Sequence, residues 1–155
     1  MSGKIEARLK ELGLELPAAT APIANYVPFT RAGNLVIVSG QVSVRNGKPE
    51  FVGKLGRDMT VEQAYEAAKL CAINVLAQVK LAVGGDLDRI VRCVKLTGFV
   101  NSTLDFTDQP KVINGASDLI VAVLGDKGKH ARSAVGMAAL PMGVAAEVEG
   151  IFEFR

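Results

Sequence analysis

The 155-residue sequence contains no tryptophan, two tyrosines, two cysteines and a single histidine. A lone histidine cannot build a nucleophilic triad by itself, and His130 sits in a lysine-bearing stretch, so it reads as a surface residue. Cys71 and Cys93 stand far apart, in no metal-binding or redox spacing, which suits a reduced, cytoplasmic setting. No metal site and no bound cofactor is expected. Neither sign of charge is in excess: 18 Lys and Arg against 16 Asp and Glu give a net +2. Such a balance leaves no electrostatic footprint for nucleic acid. No apolar run approaches the ~20 residues of a membrane span. The charged start, residues 1–6, lacks the apolar core of a signal peptide, so no membrane partner is expected. Internal repeats and low-complexity tracts are also missing.

What is present is apolar content of 49% against 22% charged, the balance of a globular chain. At this length one domain over residues 1–155 buries roughly 68–70% of its unfolded surface. Residues 1–20 form an N-terminal helical extension to it. Its helix covers residues 4–12, with Ile5, Leu9 and Leu12 at helical spacing and Gly13 as the stop. Residues 14–28 carry three prolines and read as an irregular approach to the core.

Residues 29–31 and 35–39 flank Gly33-Asn34 as a hairpin whose second strand is apolar throughout, with both faces covered. Asn46-Gly47 marks a tight turn after residues 42–44. Thr60 and Gln63 form a capping box that opens a helix, with Ala64, Ala68, Cys71, Val75 and Val79 on its inner stripe and Gly84-Gly85 closing it. A strand over 90–100 precedes a helix that starts near residues 108–110. That helix carries Val112, Ile113, Ala116, Leu119, Ile120 and Val123 on one stripe and ends at Gly125. Residues 133–140 and 145–154 read as two strands joined in a hairpin around Pro141-Met142-Gly143.

The order β-β-β-α-β-α-β-β defines an α+β domain, a mixed β-sheet with its two main helices on one face. On the other face Val36, Val38 and the strand around Met137 remain uncovered, so the chain is expected to associate with itself and to form its site where subunits meet. Arg132 is the functional landmark, because a guanidinium at the mouth of an apolar strand is costly without a partner anion or carbonyls. A small carboxylate-bearing ligand is one such partner, and Glu147 on the next strand is the group able to handle a proton. The alternative is a structural arginine paired with Glu147 or Glu149 across the hairpin. Glu149 itself reads as part of a solvated strand face, and Cys71 as packing.

An ordered set of short motifs runs through residues 21–153. Asn25-Tyr26 stands shortly before Gly33-Asn34, then come Val38-Ser39-Gly40-Gln41, Asn114, Arg132-Ser133, Leu140-Pro141 and Ala146-Glu147-Val148-Glu149. This set resembles the RidA/YjgF family, also labelled endoribonuclease L-PSP-like. The resemblance implies a chorismate-mutase-like fold, a homotrimer whose three sheets close a central β-barrel with helices outside. It also implies hydrolysis of enamine and imine forms of 2-amino acids to 2-keto acids and ammonia, in clefts between subunits and without metal or cofactor.

In that frame Arg132 clamps the substrate carboxylate and Glu147 handles the attacking water. Tyr26, Ser39, Gly40, Asn114 and Ser133 surround the substrate, with Tyr26 and Asn114 coming from different subunits. A trimer that binds small carboxylates without turnover is the alternative, and ribonuclease action a more distant one. Three departures bear on the substrate: Ala134 stands where many members have cysteine, Asn25 where proline is usual, and extra residues near 108–112 enlarge the rim, as does the N-terminal helix.

Overall fold

In the computed structural model the described residues are 3–19 and 24–155. The part of the proline-bearing approach at residues 20–23 therefore lies outside them. Helix α1 (Lys4–Glu11) buries Ile5 and Leu9. Its first amides lack a local cap, and the Asp88 carboxylate supplies one by accepting from Lys4 N at 2.8 Å and Ile5 N at 2.9 Å. Those two donors hold the Asp88 carboxyl below its ordinary range. Glu6 pairs with Lys80 at 2.7 Å and ties the same helix to its neighbour.

Strands β1 (Phe29–Ala32) and β2 (Leu35–Val42) form the expected hairpin around Gly33, whose φ is +58°. A small separate hairpin follows, β3 (Val44–Arg45) and β4 (Lys48–Pro49). Its turn has Asn46 at φ +52° and Gly47 at +76°, the double left-handed pair that Asn-Gly supplies. The capping box then opens α2 (Val61–Ala82), with Gln63 N donating to Thr60 Oγ1 and Thr60 N to Gln63 Oε1. After β5 (Ile90–Asn101) comes α3 (Gln109–Leu124), and Gly125 stops it at φ +64°. Strands β6 (Ala131–Met137) and β7 (Ala146–Phe154) complete the chain.

The main sheet has the order β1-β2-β7-β5-β6. Both long helices pack on one face of it, as the sequence implies. The anticipated hairpin between the last two strands does not form. Strand β6 runs parallel to β5 at the sheet edge, a pairing that the crossover through α3 makes possible. Strand β7 returns on the far side of β5 and inserts antiparallel between it and β2. Residues 138–145 carry the chain across the sheet end, with Met142 at φ +58° and Gly143 at +69° making the bend.

The face assignment of β2 also needs correction. Val36 and Val38 are fully buried beneath the helices with Leu96, Val148 and Phe152. The face left open carries Ile37 and Val135, 40% and 41% exposed, with half-buried Phe99 and Ile151 between them. Strand alternation thus covers only one side of β2, and the uncovered apolar face belongs to the odd-numbered residues.

Small residues let the helices come close. Gly115 on α3 lies so near the Tyr65 backbone on α2 that a Cβ there would collide with its carbonyl. Gly115→Ala is therefore expected to destabilise the fold by about 1–3 kcal/mol, even though alanine favours a helix by about 1 kcal/mol. Urea denaturation reads the change, and a raised midpoint would refute the close-packing account.

Candidate functional site

Two groups of polar side chains surround the strands that the sequence singles out, and they lie on opposite faces of the sheet. The first gathers at the edge strand. Arg132 pairs in register with the buried Leu96, so its side chain leaves β6 on the helix-covered side. There its Nη1 donates to Asn114 Oδ1 at 2.8 Å and to Ser117 Oγ at 3.2 Å. Asn114 and Ser117 are one turn apart on α3 and present adjacent acceptors to the strand.

Among the described residues no carboxylate lies within ion-pair distance of Arg132, and its Nε and Nη2 have no partner. The structural alternative, an ion pair with Glu147 or Glu149, is therefore not what holds this arginine. Neutral groups anchor one nitrogen and leave the two-pronged Nε–Nη2 edge free, the edge that fits a carboxylate.

His130 belongs to the same group, contrary to its reading as a surface residue. Half-buried, it places Nε2 2.9 Å from Ser117 Oγ and Nδ1 2.6 Å from the Gly128 carbonyl. Neither it nor Ser117 stood out in the sequence as a site residue. The available signal was Ser117 three positions after Asn114, on the same helical face.

The second group lies on the open face. Glu147 sits opposite Val42 on one side and Phe99 on the other. Between Val38 and Gln41 the register of β2 slips, so Ser39-Gly40 forms a bulge beside it. The space that a Cβ of Gly40 would fill is occupied by the Glu147 carboxylate. A side chain at position 40 would push the carboxylate out of this place. Burial of the half-covered carboxyl, with the neighbouring Glu149 charge as the smaller cause, pushes Glu147 above the usual glutamate range. A carboxyl shifted this way is better matched to proton transfer near neutral pH.

Ser39 has every polar group engaged. Its amide donates to Pro28 O at 2.9 Å, its hydroxyl to Val27 O at 2.7 Å, and its carbonyl accepts from Gln41 Nε2 at 3.0 Å. It pins the segment after Tyr26 onto the bulge and has no amide left for a ligand. Tyr26 itself is 58% exposed at that corner. Ser133 points to the open face opposite Thr97, away from its neighbour Arg132. Ala134 turns inward again, opposite Gly98, and packs on the core.

Within one chain, then, the candidate residues fall into two halves, Arg132 with Asn114 and Glu147 with Gly40. Strand β5 and the thickness of the sheet separate the halves. Among the described residues no three His, Cys, Asp or Glu side chains gather as a metal site would need. No described helix is long and apolar enough to cross a membrane.

A mixed sheet of order β1-β2-β7-β5-β6 with its two long helices on one face defines a small α+β fold class. The sequence profile described as "YjgF/chorismate_mutase-like, putative endoribonuclease" matches residues 6–151, and the chain belongs to that family. It is 48% identical to "Protein TCP17" of Trypanosoma cruzi, over 99% of this chain and 96% of that one. Among solved structures it is similar to Atu1372 of Agrobacterium tumefaciens, a protein of unknown function. The identity there is 55%, covering 97% of this chain and 92% of the other, with a TM-score of 0.91.

A "putative endoribonuclease" from Shewanella oneidensis is 35% identical over 98% of this chain and all of its own, with a TM-score of 0.93. More distant is Escherichia coli TdcF, whose structure holds serine. It is 25% identical over 88% of this chain and 93% of its own, with a TM-score of 0.61.

Proposed function

We propose that this protein hydrolyses small 2-imino acids, and their enamine tautomers, to 2-keto acids and ammonia. In this reading residues 1–155 form one domain, three copies make a cytoplasmic homotrimer around a central barrel, and the clefts lie between copies. The observation that carries it is the Arg132 guanidinium, charged, half-buried, anchored by neutral groups and free along its Nε–Nη2 edge. An anionic ligand is the natural occupant of that edge. Serine in the TdcF structure is a small amino acid with a carboxylate next to a nitrogen-bearing carbon, which supports the ligand class.

The separation of the two half-sites supports the oligomer. A cleft using both Arg132 and Glu147 requires a second chain to bring its open face against the edge strand. The apolar open face with Ile37 and Val135 offers the surface for such an assembly.

The reaction needs little beyond placement. The substrate carboxylate pairs with Arg132 and fixes the imine carbon at a set distance from Glu147. A water held by the Glu147 carboxylate attacks that carbon and gives up a proton to the carboxylate. Glu147 returns that proton to the carbinolamine nitrogen, and as the C–N bond breaks the carboxylate takes the hydroxyl proton, so that the keto acid forms and ammonia leaves. Tyr26, Gly40, Asn114 and Ser133 shape the cleft, while Ser39 acts through the bulge it fastens. The ribonuclease reading fits less well, since the one histidine has both ring nitrogens engaged within the fold. Generating 2-iminobutyrate in place with a threonine dehydratase and following 2-oxobutyrate tests the proposal. Wild-type protein is expected to raise the rate above buffer; a rate equal to buffer would sink it.

A further inference from the structure

We propose that Ser117 and His130 act as a positioning relay that holds the Arg132 guanidinium with its free edge toward the ligand. The inference rests on the carboxylate-binding reading above and names two residues of that site which the sequence motifs do not contain.

The two ends of the relay have only one chemically allowed direction, and with a neutral ring they fix the middle link. Arginine has no acceptor, so Nη1 donates and Ser117 Oγ accepts at 3.2 Å. The hydroxyl proton of Ser117 is then free for another acceptor, and His130 Nε2 lies 2.9 Å away. To accept, the neutral ring must carry its proton on Nδ1. That nitrogen faces the Gly128 carbonyl at 2.6 Å, and a carbonyl can only accept. The chain Arg132 to Ser117 to His130 to Gly128 therefore settles the tautomer of the only histidine.

Its far end is fixed to the scaffold. Gly128 is buried in the short turn Gly125–Gly128 that follows α3, packed so closely that a Cβ would meet the Ile120 carbonyl. Asn114 Oδ1 takes the other hydrogen of Nη1 at 2.8 Å. These two contacts hold Nη1 and orient the guanidinium, leaving its Nε–Nη2 edge without a partner among the described residues. Ser117 and His130 touch no reacting atom; they act through Arg132.

The single imidazole makes a direct test possible. Long-range proton–nitrogen spectra of wild-type protein at neutral pH are expected to show the Nδ1–H tautomer; an Nε2–H ring would overturn the relay whatever the protein binds. In the 2-iminobutyrate assay Ser117→Ala is expected to raise KM about 5–10-fold, less than the loss of a direct bond to the ligand because Ser117 acts only by positioning Arg132, with kcat within about twofold of wild type. Ser117→Thr, which keeps the hydroxyl, is expected to restore the KM, as an effect on folding alone would not require. A wild-type KM in Ser117→Ala, with turnover still dependent on Arg132, would remove the relay and leave the functional reading standing. If wild-type protein shows neither turnover nor Arg132-dependent binding of 2-oxobutyrate, the functional reading falls and the relay falls with it.

Discussion

Replacing Arg132 with alanine is expected to lower kcat/KM for 2-iminobutyrate by at least tenfold while leaving the melting temperature close to wild type. A hydrogen bond to a charged partner contributes about 1.5–3 kcal/mol, which corresponds to roughly 10- to 100-fold in rate. The carboxylate pairing uses two such bonds, so tenfold is the lower bound. Stability should change little because Arg132 makes no ion pair among the described residues and its anchors, Asn114 and Ser117, are reached by water once the side chain is gone. Arg132→Lys keeps the charge but not the planar fork and should recover only part of the loss. Undiminished kcat/KM in Arg132→Ala would remove the carboxylate clamp from the mechanism.

Glu147→Gln is expected to abolish turnover, a loss of about 10²–10⁴-fold, while 2-oxobutyrate still binds within a few-fold of wild type. Glutamine keeps the shape that fills the hollow at Gly40, so packing is preserved and only the proton-carrying role is removed. A cleft that merely sensed small carboxylates would bind ligand and release no ammonia in either protein. The pH profile carries a second signature. Because burial and the Glu149 charge push the Glu147 carboxyl up, its base form fills in only above the usual glutamate range.

The acidic limb of kcat/KM should therefore lie higher than an ordinary glutamate would give, and Glu149→Gln should move it down. The same shift has a stability consequence of opposite sense. A carboxyl raised by folding stabilises the native state at low pH, and that contribution is lost as pH rises through its folded value. At neutral pH Glu147→Gln is thus expected to be at least as stable as wild type. A destabilised, still active variant would contradict both the environment and the role assigned to this residue.

Local chemistry made the helices readable: a capping box at Thr60 and Gln63, a six-residue apolar stripe on α3, and glycine stops after the C-terminal ends of α2 and α3. The Asn46-Gly47 turn was equally plain, since few other pairs accept two left-handed residues in succession. The partner of β7 was not readable. Pro141-Met142-Gly143 specifies that the chain turns, and a turn says nothing about which side of β5 receives the returning strand.

That choice depends on contacts between strands far apart in sequence, where Phe152, Val148 and Val36 come to share one buried face. The same limit applied to the site. Residue type alone drew attention to Arg132 and Glu147, but their placement on opposite faces follows from two pairing registers that neither strand encodes alone. Ser117 escaped notice, and His130 read as a surface residue, because a neutral hydrogen-bond chain leaves no charge pattern and no motif.

The division of Arg132 and Glu147 across the sheet has a consequence for mixtures of defective chains. If every cleft draws its guanidinium from one copy and its carboxylate from the next, two inactive variants can repair each other. Arg132→Ala and Glu147→Gln chains, co-refolded in equal amounts, should regain activity in about a quarter of all clefts, as random assortment in a ring dictates. Chains that housed both groups in one self-sufficient centre would stay silent however they were combined.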